Sequence, residues 1–69
     1  MKFSEVRDLS REELRAKLRE NLEELFRLRL RLASRQLSNT ARIRQVRKDI
    51  ARLKTRERQL ELEKAARHE

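Results

Sequence analysis

The sequence predicts an all-α chain: an antiparallel, coiled-coil-like two-helix hairpin preceded by a short N-terminal helix. Three observations predict it. The 69 residues include no Gly and no Pro, so the usual helix breakers and the usual makers of tight β-turns are missing. Strong helix formers (Leu, Arg, Lys, Glu, Gln and Ala) fill most positions instead. Two long stretches carry apolar residues at alternating spacings of three and four, and a polar break separates them. A chain of this length is a single small domain, and with 36% apolar residues it has little to bury.

The elements follow in order. Ser4 is expected to cap a short helix over about residues 4–9. Ser10 then restarts the chain, with Glu13 three positions later in a capping-box pattern, so the first long helix should run over about residues 11–34. Its seam is Leu14, Leu18, Leu25, Leu28 and Leu32, with Asn21 in the remaining slot, and Leu22, Phe26, Leu30 and Ala33 are expected to widen that stripe. The periodicity breaks in SRQLSNT, which places the turn at about residues 35–39, and Ser38 and Asn39 are both residue types favoured at an N-cap. The second long helix is expected over about residues 40–64, with a seam of Ile43, Val46, Ile50, Leu53 and Leu60 interrupted by Glu57, and a frayed tail after it. Two helices with one apolar stripe each and a short connection pack as antiparallel neighbours. Each would be roughly 35 Å long at the rise of an α-helix. One interface is little support, so the free chain is expected to be marginally stable and to complete its order on a larger assembly.

Charge is distributed unevenly. The formal net charge is +8 and 46% of residues are charged, so polyanions are the natural partners. Residues 27–56 hold eleven of the twenty Lys and Arg but one acid, Asp49, and no acidic residue lies between Glu24 and Asp49. Arg27, Arg29, Arg31 and Arg35 come from one arm; Arg42, Arg44, Arg47, Lys48, Arg52, Lys54 and Arg56 come from the other. In a hairpin this segment is the turn and the adjoining halves of both helices, so the excess should gather at one end of the rod. A solvated helical surface normally mixes the two signs; this one does so only in its flanking segments. Such a concentration is the footprint of phosphate-backbone binding, and the planar fork of Arg suits phosphate better than the point charge of Lys. With two Phe and no Tyr or Trp, a base-stacking platform for single strands is not expected, which leaves folded RNA recognised by shape and phosphates.

Other chemistries find no support in the residues. The lone His68 sits in the tail, far along the chain from Ser34, Ser38 or Thr40, and a nucleophile needs a base within hydrogen-bond reach. Glu61 and Glu63 beside one His do not make a zinc site, and with no Cys there is neither a disulfide nor a thiolate ligand. Without Gly there is no phosphate-cradling loop. No enzyme, cofactor or metal is expected. The opening MKFSEVRDLS has no apolar run of signal-peptide length and no stretch approaches the roughly 20 apolar residues of a membrane span, so a cytoplasmic chain is expected. A leucine-zipper DNA binder would place a continuous basic helix before a long seam, whereas here the basic residues straddle a break. Two rivals to RNA binding stay open on the residues alone. One is a coiled-coil adaptor pairing with a partner helix through the Glu-rich open end. The other is a peripheral membrane binder using the basic amphipathic pattern.

The segments MKFSEVRDLS and EEL, then ELFRLRLRLASRQL, then NTARIRQVRKDIARLKT follow one another over about Met1 to Arg58. In that order they resemble the bacterial ribosomal protein twenty-nine family of the large subunit. The last is the most specific: Asn39, Ile43, Arg44, Val46, Arg47, Lys48, Ile50, Ala51, Arg52 and Thr55 sit at the spacing of the family signature. The chain departs from the pattern in three places. Leu28, Arg29, Leu30 and Arg31 stand where the family commonly reads LRFQ; Arg35 stands where a Gly often precedes Gln-Leu; and Thr40 and Ala41 replace the usual Pro or His near the second cap.

The resemblance implies a structural constituent of the large ribosomal subunit, cytoplasmic and ribosome-bound, that binds large-subunit ribosomal RNA near the exit of the nascent-peptide tunnel. It implies a neighbouring ribosomal protein there, protein twenty-three, and proximity to docking sites for the trigger factor chaperone and the signal recognition particle. Taken with the charge map, the candidate RNA-binding residues are Arg29, Arg31, Arg35, Gln36, Asn39, Arg42, Arg44, Arg47, Lys48, Arg52 and Arg56.

Overall fold

Local capping chemistry sets most of the helix ends. The structure, a computed structural model, describes residues 1–36 and 39–67, the last by its backbone alone. Helix α1 spans Phe3–Arg7, α2 spans Arg11–Ala33 and α3 spans Ala41–Arg67. The expected caps at Ser38 and the tail residue His68 lie outside the described residues.

Helix α1 corrects the expectation of a Ser4 cap. Lys2 holds the extended conformation before the helix, and its backbone N–H donates to Glu5 Oε2 at 3.4 Å, so the helix starts at Phe3 and Ser4 is inside it. It ends before residue 9 because Asp8 N–H and Leu9 N–H turn to the carbonyls of Glu5 and Val6, three residues back. Packing fixes this register: Val6, fully buried, meets Leu14 of α2 and Leu53 of α3.

Helix α2 begins as expected. Ser10 Oγ accepts from Glu13 N–H at 3.2 Å and Ser10 N–H donates to Glu13 Oε1 at 3.1 Å, closing the capping box. Its end is a Schellman arrangement: Gln36 N–H donates to Arg31 O at 2.8 Å and Arg35 N–H to Leu32 O at 3.1 Å. The motif needs a left-handed residue, and here that residue is Arg35, at φ 61°. Glycine takes that conformation freely; a side chain with a Cβ does so at a cost of about 1 kcal/mol.

Helix α3 starts one residue later than expected and runs three residues further than the expected end at residue 64. Asn39 Oδ1 accepts from Ala41 N–H at 2.9 Å, while the Thr40 carbonyl accepts the first intrahelical bond from Arg44 N–H at 3.2 Å. Thr40 therefore takes the cap position and Asn39 supports it from one residue before. The helix continues through Arg67 because ERQLELEKAAR is an unbroken run of good helix formers.

Helices α2 and α3 pack side by side along a rod of 52 × 18 × 15 Å, and α1 folds back onto α3. The seam near the turn joins Leu25 and Leu28 to Ile43, Val46 and Ile50; a second cluster joins Val6, Leu14 and Leu53, with Met1, Leu9, Leu18 and Leu60 packed around it. Buried Asn21 fits the seam because its Nδ2 donates to the Lys17 carbonyl one turn back, at 2.8 Å. The expected widening of the α2 stripe does not occur. Leu22, Phe26, Leu30 and Ala33 are exposed, and Leu32 at the end of the seam is 40% exposed. A two-helix hairpin has one interface, and residues more than a quarter turn from it have nothing to pack against.

Candidate nucleic-acid interface

Eleven residues were expected at the RNA interface, and the fold treats them unequally. Arg29, Arg31, Arg35 and Gln36 lie exposed on the last turns of α2 and the turn that follows. Asn39 is exposed as well, with its Oδ1 committed to the start of α3. Arg42, Arg44, Arg47 and Lys48 project from the first two turns of α3. Antiparallel packing brings these groups to the same end of the rod, since Leu28 and Ile43 share one core cluster.

Arg52 and Arg56 stand apart. At 1.5 Å per residue, Arg56 is about 23 Å from Ala41, past the middle of α3, so the basic segment covers the turn half and extends beyond it. Arg52 Nη1 lies 3.7 Å from Asp49 Oδ1. The Arg56 side chain is only 19% exposed, and its Nη1 donates to Gln59 Oε1 at 3.3 Å and lies 3.9 Å from Glu63. Their guanidinium groups are directed to partners within the chain.

The two carboxylates that bound the acid-free stretch are both engaged. Glu24 Oε1 accepts from Arg42 Nε at 2.7 Å, and this hydrogen bond and charge raise the Arg42 pKa above its ordinary value. Asp49 is buried, pairs with the Met1 α-amino group at 3.3 Å and accepts from Gln45 Nε2 at 3.2 Å. Burying a carboxylate requires such partners. The fold-back of α1 supplies one of them, a contact that the local sequence around Asp49 does not signal.

Among the described residues, Arg29, Arg31, Arg35, Arg44, Arg47 and Lys48 form no ion pair. Arg44, Arg47 and Lys48 are the most closely grouped. With Ala51 they stand at spacings of three and four on one helix face and line an open depression of about 320 Å³. Small Ala51 leaves room between long cationic side chains, the shape and charge that a phosphate group requires. Among the described residues no cluster of His, Cys, Asp or Glu could hold a metal ion, and no helix is long and apolar enough to cross a membrane.

Comparison with known proteins places the chain in a family. The family model described as Ribosomal L29 protein matches residues 4–59. The chain is 60% identical over 62 residues to the large ribosomal subunit protein uL29 of Geobacillus stearothermophilus, covering 87% of this chain and 94% of that protein. It is 55% identical over 67 residues to the uL29 of Staphylococcus aureus strain JH9, covering 94% and 97% respectively. With a matching family model over most of the chain and relatives aligned over 94% or more of their own length, this chain belongs to the ribosomal L29 protein family, structural and non-enzymatic constituents of the large ribosomal subunit.

Proposed function

We propose that the chain binds large-subunit ribosomal RNA through the turn half of the hairpin, with Arg44, Arg47 and Lys48 of α3 as its centre. The observation that carries this reading is their shared face around Ala51, free of ion pairs among the described residues. Arg29, Arg31 and Arg35 extend the cationic surface across the turn, and Gln36 and the amide of Asn39 offer neutral donors beside it. Exposed cations on neighbouring helical turns suit neighbouring phosphates of a folded RNA, where affinity comes from phosphate contact and counterion release. Arg52 and Arg56 act first within the protein, the one against Asp49 and the other against Gln59 and Glu63. Family membership supports the rest of the reading: a ribosome-bound, cytoplasmic chain near the nascent-peptide exit, beside protein twenty-three and within reach of the sites where trigger factor and the signal recognition particle dock.

The test is a salt titration of binding to a large-subunit RNA fragment. Arg44→Gln, Arg47→Gln and Lys48→Gln together should weaken binding and flatten the plot of log affinity against log salt by up to three contacts' worth, at about 0.7–0.9 per contact. Arg7→Gln, Arg15→Gln and Arg19→Gln remove the same charge from the other half and should change the slope little. Equal losses in the two triples would leave only a general attraction to a +8 body and overturn the site.

A further inference from the structure

Of the four large apolar side chains that α2 leaves exposed, three stand off the end of the seam: Leu22 is 43% exposed, Phe26 64% and Leu30 54%. Spaced four residues apart, they form one row along the helix, off the seam that Leu14, Asn21, Leu25 and Leu28 bury. A single exposed leucine needs no explanation on a small domain, but a contiguous row leaves hydrocarbon against water along two turns. Helical spacing adds charge to the same face. Exposed Arg15 and Arg19 precede Leu22 by seven and three residues, and exposed Arg29 follows it by seven. The face is therefore apolar at its centre and carries arginines at both ends, with Glu23 beside the row and Glu12 three residues before Arg15 as its carboxylates.

We propose that this face docks an amphipathic helix of another protein, one presenting apolar side chains in a row and carboxylates toward both ends. Such a helix would complete a three-helix bundle, burying the row and pairing its flanking carboxylates with Arg15, Arg19 and Arg29. Charge complementarity selects this occupant. Folded RNA offers phosphates to the arginines but leaves Leu22, Phe26 and Leu30 without apolar contact. A second copy would bring two +8 chains together. The face lies apart from Arg44, Arg47 and Lys48, the centre of the proposed RNA site, and shares with that surface only Arg29 at its edge.

The test places a photoreactive group in the row, Phe26→benzoylphenylalanine, in the full chain assembled into large subunits. Irradiation should give a protein adduct whose cross-linked peptide has helical apolar spacing and an excess of Asp and Glu. Arg15→Glu with Arg19→Glu in the same chain should lower its yield at least ten-fold. Leu22→Ser with Leu30→Ser should do the same while leaving helicity and the salt slope of RNA binding unchanged, which separates this surface from the RNA site. An adduct to RNA, to lipid, to a second copy or to a basic or non-helical peptide would overturn the proposal, as would no adduct or a yield indifferent to charge reversal.

Discussion

Arg42 of α3 and Glu24 of α2 meet across the hairpin at 2.7 Å, Nε to Oε1, and so tie the first turn of one helix to the third-last turn of the other. Glu24 is the last carboxylate before the acid-free stretch, so the pair also neutralises one of the exposed cations. Glu24→Gln should release Arg42 toward RNA and steepen the salt dependence of binding by about one contact, 0.7–0.9 in the log–log slope. Thermal stability should fall slightly, because an exposed pair is screened by solvent. A slope unchanged or shallower than that of the natural chain would show that Arg42 lies outside the interface.

The turn offers a second prediction. Arg35 holds a left-handed conformation, φ 61°, at the position where glycine closes a Schellman motif. Arg35→Gly should stabilise the free chain by about 1 kcal/mol, whereas Arg35→Ala keeps the Cβ penalty and should leave stability nearly unchanged. Thermal unfolding of the two variants separates backbone relief from loss of charge. Equal midpoints would contradict the assigned strain.

Ile50 tests the seam. It is 7% exposed and belongs to the cluster with Leu25 and Leu28 of the opposite helix. Ile50→Asp sets an unpaired carboxylate into the interface near the turn, at a cost of about 3–5 kcal/mol, comparable to the whole stability of a small domain. Circular dichroism of the free variant should show most of the helical signal lost. Retained helicity under conditions where the natural chain is folded would refute the hairpin packing.

The capping box carries a pH dependence. Backbone and side-chain hydrogen bonds from Ser10 hold the Glu13 carboxyl below its ordinary value of 4.5. A group lowered in the folded state stabilises above its unfolded value and loses that contribution as pH falls from about 4.5 through the lowered value. Ser10→Ala should cost about 1 kcal/mol at neutral pH but keeps the backbone N–H that chiefly lowers Glu13, so it should flatten the acid limb of the stability curve only in part, whereas Glu13→Gln should flatten it fully. An acid limb of the same shape in all three chains would show that the box contributes nothing.

What the sequence determined by itself is the part of the molecule that short-range physics decides. The absence of Gly and Pro, the Ser10–Glu13 box and the spacing of Leu14, Leu25, Leu28, Ile43, Val46, Ile50 and Leu53 specify two helices and their facing sides, because hydrogen bonds and side-chain periodicity within a helix span four residues or fewer. The charge map was legible for the same reason: antiparallel pairing of adjacent helices follows from a short connection. Only tertiary structure decided what depends on residues distant in sequence. That Val6 reaches Leu53 and that Met1 neutralises Asp49 follow from α1 folding onto α3, whereas Arg52 and Arg56 turn to partners on their own helix, Asp49 and Gln59 three residues away, a spacing the sequence already carries. In the sequence the row Leu22, Phe26 and Leu30 widens the apolar stripe of α2 because hydrophobicity and helical phase are local properties, whereas burial requires a second surface, and the hairpin supplies one on a single side of α2.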